Sequence, residues 1–168
     1  MEYTVGNTGL AFGNSLFGIL KVLAIMTDPN ILPRTLFASM MPPYLILAVV
    51  IFIGLVYYIV KIEKEFWKRI ALLVFAMCLL PYFSGDYKLL NVFIPVFLFS
   101  NNPLMDSHDL VYAFLLSLLL IPKDYYYLSI FSNTSISIVL DPLIMLIITA
   151  MIVVNGMIGW FSSLKSEP

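Results

Sequence analysis

The stretch YLILAVVIFIGLVYYIV, residues 44–60, followed at once by KIEKEFWKR, residues 61–69, decides the fold. The first part carries no charge over a length that suffices for a transmembrane helix, which needs roughly 17–25 apolar residues. The second is the densest basic cluster in the chain and holds a tryptophan suited to the headgroup layer. By the positive-inside rule this turn is cytoplasmic, so Tyr44 to Val60 enters from the outer face and ends inside.

Composition agrees along the whole chain. Of 168 residues, 61% are hydrophobic and 11% charged, and the mean hydropathy is +0.99. A soluble domain has roughly 45–50% apolar and about 25% charged residues. The net charge of -1, from 9 basic and 10 acidic residues, leaves no basic surface for nucleic acid. Cys78 is the single cysteine and lies in an apolar run, which excludes a disulfide framework and a thiolate metal site. No repeat or soluble domain interrupts the chain, so residues 1–168 read as one integral membrane unit. Its parts are an external interfacial segment over 1–43, a transmembrane bundle over 44–161 and a cytoplasmic tail over 162–168.

Outward from the opening stretch, Ile70 to Phe83 reads as the return span. Toward the N-terminus, Leu10 to Met26 is apolar but broken by Asn14, Gly18 and Lys21, whose spacing puts one polar stripe on a helix. This predicts a helix lying in the interface. Glu2 in place of a basic n-region argues against a cleaved signal peptide. Asp28-Pro29, Pro33-Arg34 and Pro42-Pro43 predict a non-helical connection. Toward the C-terminus, Leu89 to Ser100 and Leu110 to Pro122 are short and form either two tilted helices or a re-entrant pair. Asp141 is placed as a cap with Pro142 near the first helical position, and the run to Phe161 as the last span. The expected fold is therefore all-α: a polytopic bundle of about three long spans, two short helices and an N-terminal interfacial helix.

Two polar knots stand at the ends of apolar runs: Ser84-Gly85-Asp86-Tyr87-Lys88 and Pro122-Lys123-Asp124-Tyr125-Tyr126-Tyr127. Ionisable residues at the edge of the hydrocarbon are costly to place and are default functional candidates. The topology puts both knots outside, with Lys21, Arg34, Lys88 and Lys123, against Lys61, Lys64, Lys68, Arg69 and Lys165 inside. Two readings stand for these lysines. They bind a lipid-phosphate head through charge-assisted hydrogen bonds, or they snorkel as anchors paired with Asp86 and Asp124. The carboxylates are either general bases or partners of those lysines. Tyr87, Tyr125, Tyr126 and Tyr127 either stack on a sugar or form an aromatic belt. His108 reads as solvated, and Asn133-Thr134-Ser135 matches a glycosylation acceptor.

Gly13-Asn14-Ser15-Leu16-Phe17-Gly18-Ile19-Leu20-Lys21 resembles the asparagine-serine-leucine stretch of the family 87 glycosyltransferases. Ser84-Gly85-Asp86-Tyr87-Lys88-Leu89-Leu90 with Ile94-Pro95 is similar to that family's later serine-containing motif. The Ile121-Pro122-Lys123-Asp124-Tyr125 turn resembles its variants. The resemblance covers roughly Gly13 to Trp160 and implies a GT-C type fold. It also implies sugar transfer from a polyprenyl-phosphate-linked donor to a glycan or glycolipid acceptor, without a metal or other cofactor. Asn14, Ser15, Lys21, Arg34, Asp86, Tyr87, Lys88, Lys123 and Asp124 would line the donor site. The family's catalytic aspartate lies in an earlier external loop, so the resemblance implies that this chain corresponds to the C-terminal half, as a truncated reading frame or a split subunit, with the base in the missing segment or in an N-terminal partner chain. A prokaryotic plasma membrane is the implied location. A non-enzymatic membrane subunit is the alternative. A small transporter ranks below both, for want of polar residues at the midplane.

Overall fold

The structure, a computed structural model, describes residues 14–27, 33–82, 84, 86–102, 107–121, 123 and 135–165, and at 25, 33–37, 86–88, 107 and 164 the backbone alone. Its elements are all helical: α1 Leu16–Thr27, α2 Pro33–Lys61, α3 Phe66–Leu79, a 3₁₀ helix Asp86–Val92, α4 Phe93–Ser100, α5 Ser107–Leu120 and α6 Ser137–Lys165. Two of them contain stretches long and apolar enough to cross a membrane, Ala38–Lys61 in α2 and Ser137–Ser163 in α6.

The return segment is shorter than expected. α3 has 14 residues, about 21 Å of helix against roughly 30 Å of hydrocarbon. It forms the centre of the core, with Ala71, Leu72, Phe75 and Cys78 fully buried. These positions fall on one helical face, which packs against α4 and α6. Two long helices therefore replace the three long spans of the sequence reading, and α3 is the element they and the short helices surround.

α2 also departs from expectation, because it runs without interruption through Pro42 and Pro43. Each proline removes a hydrogen bond to the carbonyl four residues earlier, at a cost of about 3 kcal/mol in an ordinary helix interior. Packing on both sides offsets this. Met40 and Met41 join the Phe17, Tyr44 and Ala48 cluster, and the Tyr44 hydroxyl donates to the carbonyls of Leu79 and Leu80 at 3.2 and 2.9 Å. One tyrosine thus caps the end of α3 and pins α2 just beyond its prolines. The external segment assigned to 1–43 and the bundle assigned from 44 meet inside a continuous helix.

The last helix starts four residues before Asp141, so Asp141 and Pro142 lie inside α6, and the cap assignment fails. α6 also continues into the residues read as a tail, to Lys165. The two short segments are confirmed as short helices, the first a 3₁₀ turn leading into α4, with Pro95 in its first turn, where the lost N–H costs little.

The surface is apolar. Ile46, Val50, Ile53, Leu90, Phe97, Leu110, Phe114 and Ile158 are among many large side chains more than half exposed. Only 22% of the apolar window of α2 is buried, against 44% for α6. Soluble monomers rarely expose contiguous apolar patches beyond a few hundred Å².

Gly156 is where α6 meets α2. A methyl group there would land on the Tyr58 hydroxyl, 3.0 Å from the ring carbon that bears it and 3.3 Å from Glu63 Oε2. A Cβ at Gly159 meets nothing within 4 Å. Gly156→Ala is expected to lower stability by about 1–3 kcal/mol through overpacking, and Gly159→Ala to leave it unchanged or slightly raised. Thermal unfolding of the detergent-solubilised protein checks the pair; equal melting temperatures for the two variants would contradict this packing.

Candidate functional site

Buried polar groups gather at two ends of the bundle. Tyr44 and Tyr58 mark the ends on α2, 14 residues and so about 21 Å apart. The first end joins Asn14, Ser15, Lys21, Ser84, Lys123 and Asp141. The second is the turn between α2 and α3.

At the first end, the Asn14 N–H donates to the Ser84 carbonyl at 2.8 Å, tying the start of α1 to the first knot. Ser15 is the N-cap of α1: its Oγ accepts from the Gly18 N–H at 3.1 Å, satisfying one of the orphan donors of the helix start. The Ser84 hydroxyl is buried, with no hydrogen-bond partner among the described residues. Asn14, Ser15 and Lys21 are all buried, while Leu20, Leu23 and Met26 face outward. The polar stripe of α1 points into the protein. The Lys21 ammonium lies 5.2 Å from the centre of the Phe17 ring, and burial lowers its pKa.

α1 packs on α6, with Val22 against Ile138, and one turn further along α6 is Asp141. Its Oδ1 accepts from Lys123 Nζ at 2.6 Å, and the same ammonium donates to the Ile121 carbonyl at 3.0 Å. Ser135 Oγ lies 2.8 Å from Ser137 Oγ and accepts from the Ser137 N–H at 3.2 Å. Lys123 and Asp141 are both buried. The snorkelling reading had paired Lys123 with Asp124; the described partner is Asp141, 18 residues away, because α6 brings a carboxylate under the loop.

Of the other candidates, Arg34 lies in the first turn of α2, and Asp86, Tyr87 and Lys88 lie in the 3₁₀ helix, with backbone positions alone described. Asp124, and with it Tyr125 to Tyr127, lies outside the described residues. The structure thus brings the α1 candidates, the Ser84 knot and Lys123 to one end of the bundle. His108 is exposed in the first turn of α5, and among the described residues no cluster of His, Cys, Asp or Glu could hold a metal.

The second end was read from sequence only as a charge cluster, yet it holds the densest network. Glu63 is buried, and its Oε1 accepts from the Lys64 and Glu65 N–H groups at 3.0 Å each, shaping the turn before α3. The Tyr58 hydroxyl lies 3.1 Å from Glu63 Oε2 and 2.8 Å from the Ile152 carbonyl. Arg69 Nε donates to the Glu63 carbonyl at 2.7 Å, and its Nη2 does the same. Glu65 accepts from Trp67 Nε1 at 2.9 Å and from Lys68 Nζ at 2.6 Å. Trp67 packs edge-on against Phe99 and Tyr112, and Asn155 Nδ2 donates to the Tyr112 hydroxyl at 3.3 Å. The signal available in sequence was Glu63, the first acid of a basic cluster directly after a span.

Comparison with protein-family models, curated proteins and solved structures yields no match.

The Lys123–Asp141 pair gives a sharp test. Removing one partner strands a buried charge, so Lys123→Met or Asp141→Leu alone should cost about 3–5 kcal/mol, while the double variant recovers most of it. Unfolding of the single and double variants measures the coupling; additive losses would exclude a functioning pair.

Proposed function

We propose that the chain is a polytopic membrane protein of a prokaryotic plasma membrane and the carrier-binding part of a polyprenyl-phosphate-sugar-dependent glycosyltransferase. The carrying observation is the convergence of the α1 polar stripe, Ser84 and Lys123 on one end of the bundle, opposite the basic turn at 61–69. A lipid-linked phosphate needs its head at that level and its tail against apolar helices, and the exposed surface of α2 offers the second.

In this reading Lys88 and Lys123 stabilise the departing polyprenyl phosphate as the anomeric carbon–oxygen bond breaks. The acceptor hydroxyl forms the new bond and gives its proton to an external aspartate of an N-terminal segment or partner chain. The resemblance adds Asp86, Tyr87, Asp124 and Arg34 to this reading as further donor-binding residues. No metal or nucleotide enters the reaction.

A second reading, a non-enzymatic membrane subunit, has its own observation. Ser15 is used as a helix cap and Lys123 is held by Asp141, so two of the candidate donor ligands already have structural partners.

Transfer from a radiolabelled polyprenyl-phosphate sugar, measured with the chain coexpressed with an N-terminal partner, separates the two. Asp86→Asn and Lys88→Ala should each reduce transfer by about tenfold or more if they act on the transition state. Full activity in both variants removes those residues from the site, and absence of carrier binding by the native protein favours the subunit reading.

A further inference from the structure

The C-terminal part of α6 runs past its neighbours. Beyond Gly156, at the level of the Tyr58 hydroxyl, it continues for nine more residues to Lys165, about 13 Å, whereas α2 ends three residues after Tyr58. This arm carries Ile158, Trp160 and Phe161, exposed by 64%, 38% and 54%. The Trp160 and Phe161 rings contact each other at 5.1 Å between centroids. An exposed apolar pair so placed needs a cover.

Three observations say what covers it. First, length: the 27-residue span Ser137–Ser163 is about 40 Å long, which exceeds the roughly 30 Å of hydrocarbon and matches a bilayer counted with part of its headgroup layers. Secondly, hydroxyl bonding: Ser162 Oγ donates to the Gly159 carbonyl and Ser163 Oγ to the Trp160 carbonyl, each at 2.7 Å. The arm meets those needs internally, as a half-dry environment demands. Thirdly, charge: Lys61, Lys64 and Lys165 are exposed at this end, where five bases, with Lys68 and Arg69, outnumber the described acids Glu63, Glu65 and Asp109, the last in the first turn of α5. Glu63 is buried and Glu65 is bonded to Lys68.

We propose that the Met157–Lys165 arm, with Lys61 and Lys64, is a docking surface for the headgroup layer of an anionic leaflet. Trp160 and Phe161 sit at the acyl–headgroup boundary, where amphipathic rings are favoured, and the lysines take anionic phosphates. The proposal needs the chain to be in a membrane but is independent of any sugar transfer.

The chain has two tryptophans, which makes the test direct. In the Trp67→Phe variant, Trp160 fluorescence is read in vesicles of phosphatidylcholine and phosphatidylglycerol with bromine placed near the glycerol end or near the methyl end of the acyl chain. The native protein minus Trp160→Phe gives the same signal should Trp67→Phe not fold. Quenching should be strongest with bromine near the glycerol end, and roughly twofold stronger from brominated phosphatidylglycerol than from brominated phosphatidylcholine, because the lysines enrich anionic lipid beside the arm. The triple variant Lys61→Gln, Lys64→Gln, Lys165→Gln should lose that preference. Strongest quenching from the methyl end, quenching by aqueous iodide alone, quenching by neither agent, or equal quenching by the two lipids in the native protein would each overturn the proposal.

Discussion

The Tyr58 hydroxyl, 2.8 Å from the Ile152 carbonyl and 3.1 Å from Glu63 Oε2, joins three pieces of chain that nothing else among the described contacts holds so closely. It sits at the end of α2, reaches the middle of α6 and anchors the carboxylate that folds the turn into α3. Glu63 holds the next two backbone N–H groups, so the direction in which α3 leaves the turn follows from the same carboxylate. Hydrogen bonds to a charged group contribute about 1.5–3 kcal/mol, and leaving such a group buried and unsatisfied costs at least as much. The absence of a side chain at Gly156 is the steric condition that lets the hydroxyl arrive.

From that junction the remaining architecture is a matter of where polar groups can be satisfied. α3, pinned at its start by the Glu63 turn and at its end by Tyr44, fixes two polar ends about 21 Å apart. Between them lies an apolar core of Leu72, Phe75, Leu116, Met145 and Ile148. Around them the outward faces are as apolar as the core. This polarity, with lysine, serine and asparagine turned inward on α1 and leucine turned outward, is the pattern expected of a chain surrounded by lipid.

How much of this the sequence made legible depends on range. The apolar class, the helix after Pro43, the basic turn and the brevity of the segments around Pro95 and Val111 were readable, because each is a local property of composition and length. The continuity of α2 through Pro42 and Pro43 was not, since Met40, Met41 and Tyr44 hold it by contacts with residues far along the chain. Asp141 looked like a cap because a carboxylate before a proline usually is one. Its bond to Lys123 depends on α6 starting a turn earlier. The stripe of Asn14, Gly18 and Lys21 was visible, but periodicity says only that a helix has two faces and not which faces inward. For the candidate site, the shared location of Ser84 and Lys123 followed from topology, while the use of Ser15 as a cap and the role of Glu63 are tertiary facts that single-residue chemistry does not announce.

The central claim is that the two knots share one membrane face and the 61–69 turn occupies the other. Cysteine accessibility tests it most directly, because the native Cys78 is buried and stays silent. Lys88→Cys, Asp124→Cys and Lys64→Cys variants are treated with a membrane-impermeant maleimide on intact cells and again after permeabilisation. The account predicts labelling of positions 88 and 124 in intact cells and of position 64 only once the membrane is opened. Labelling of position 64 together with 88 in intact cells, or of 88 and 124 from opposite sides, would contradict it.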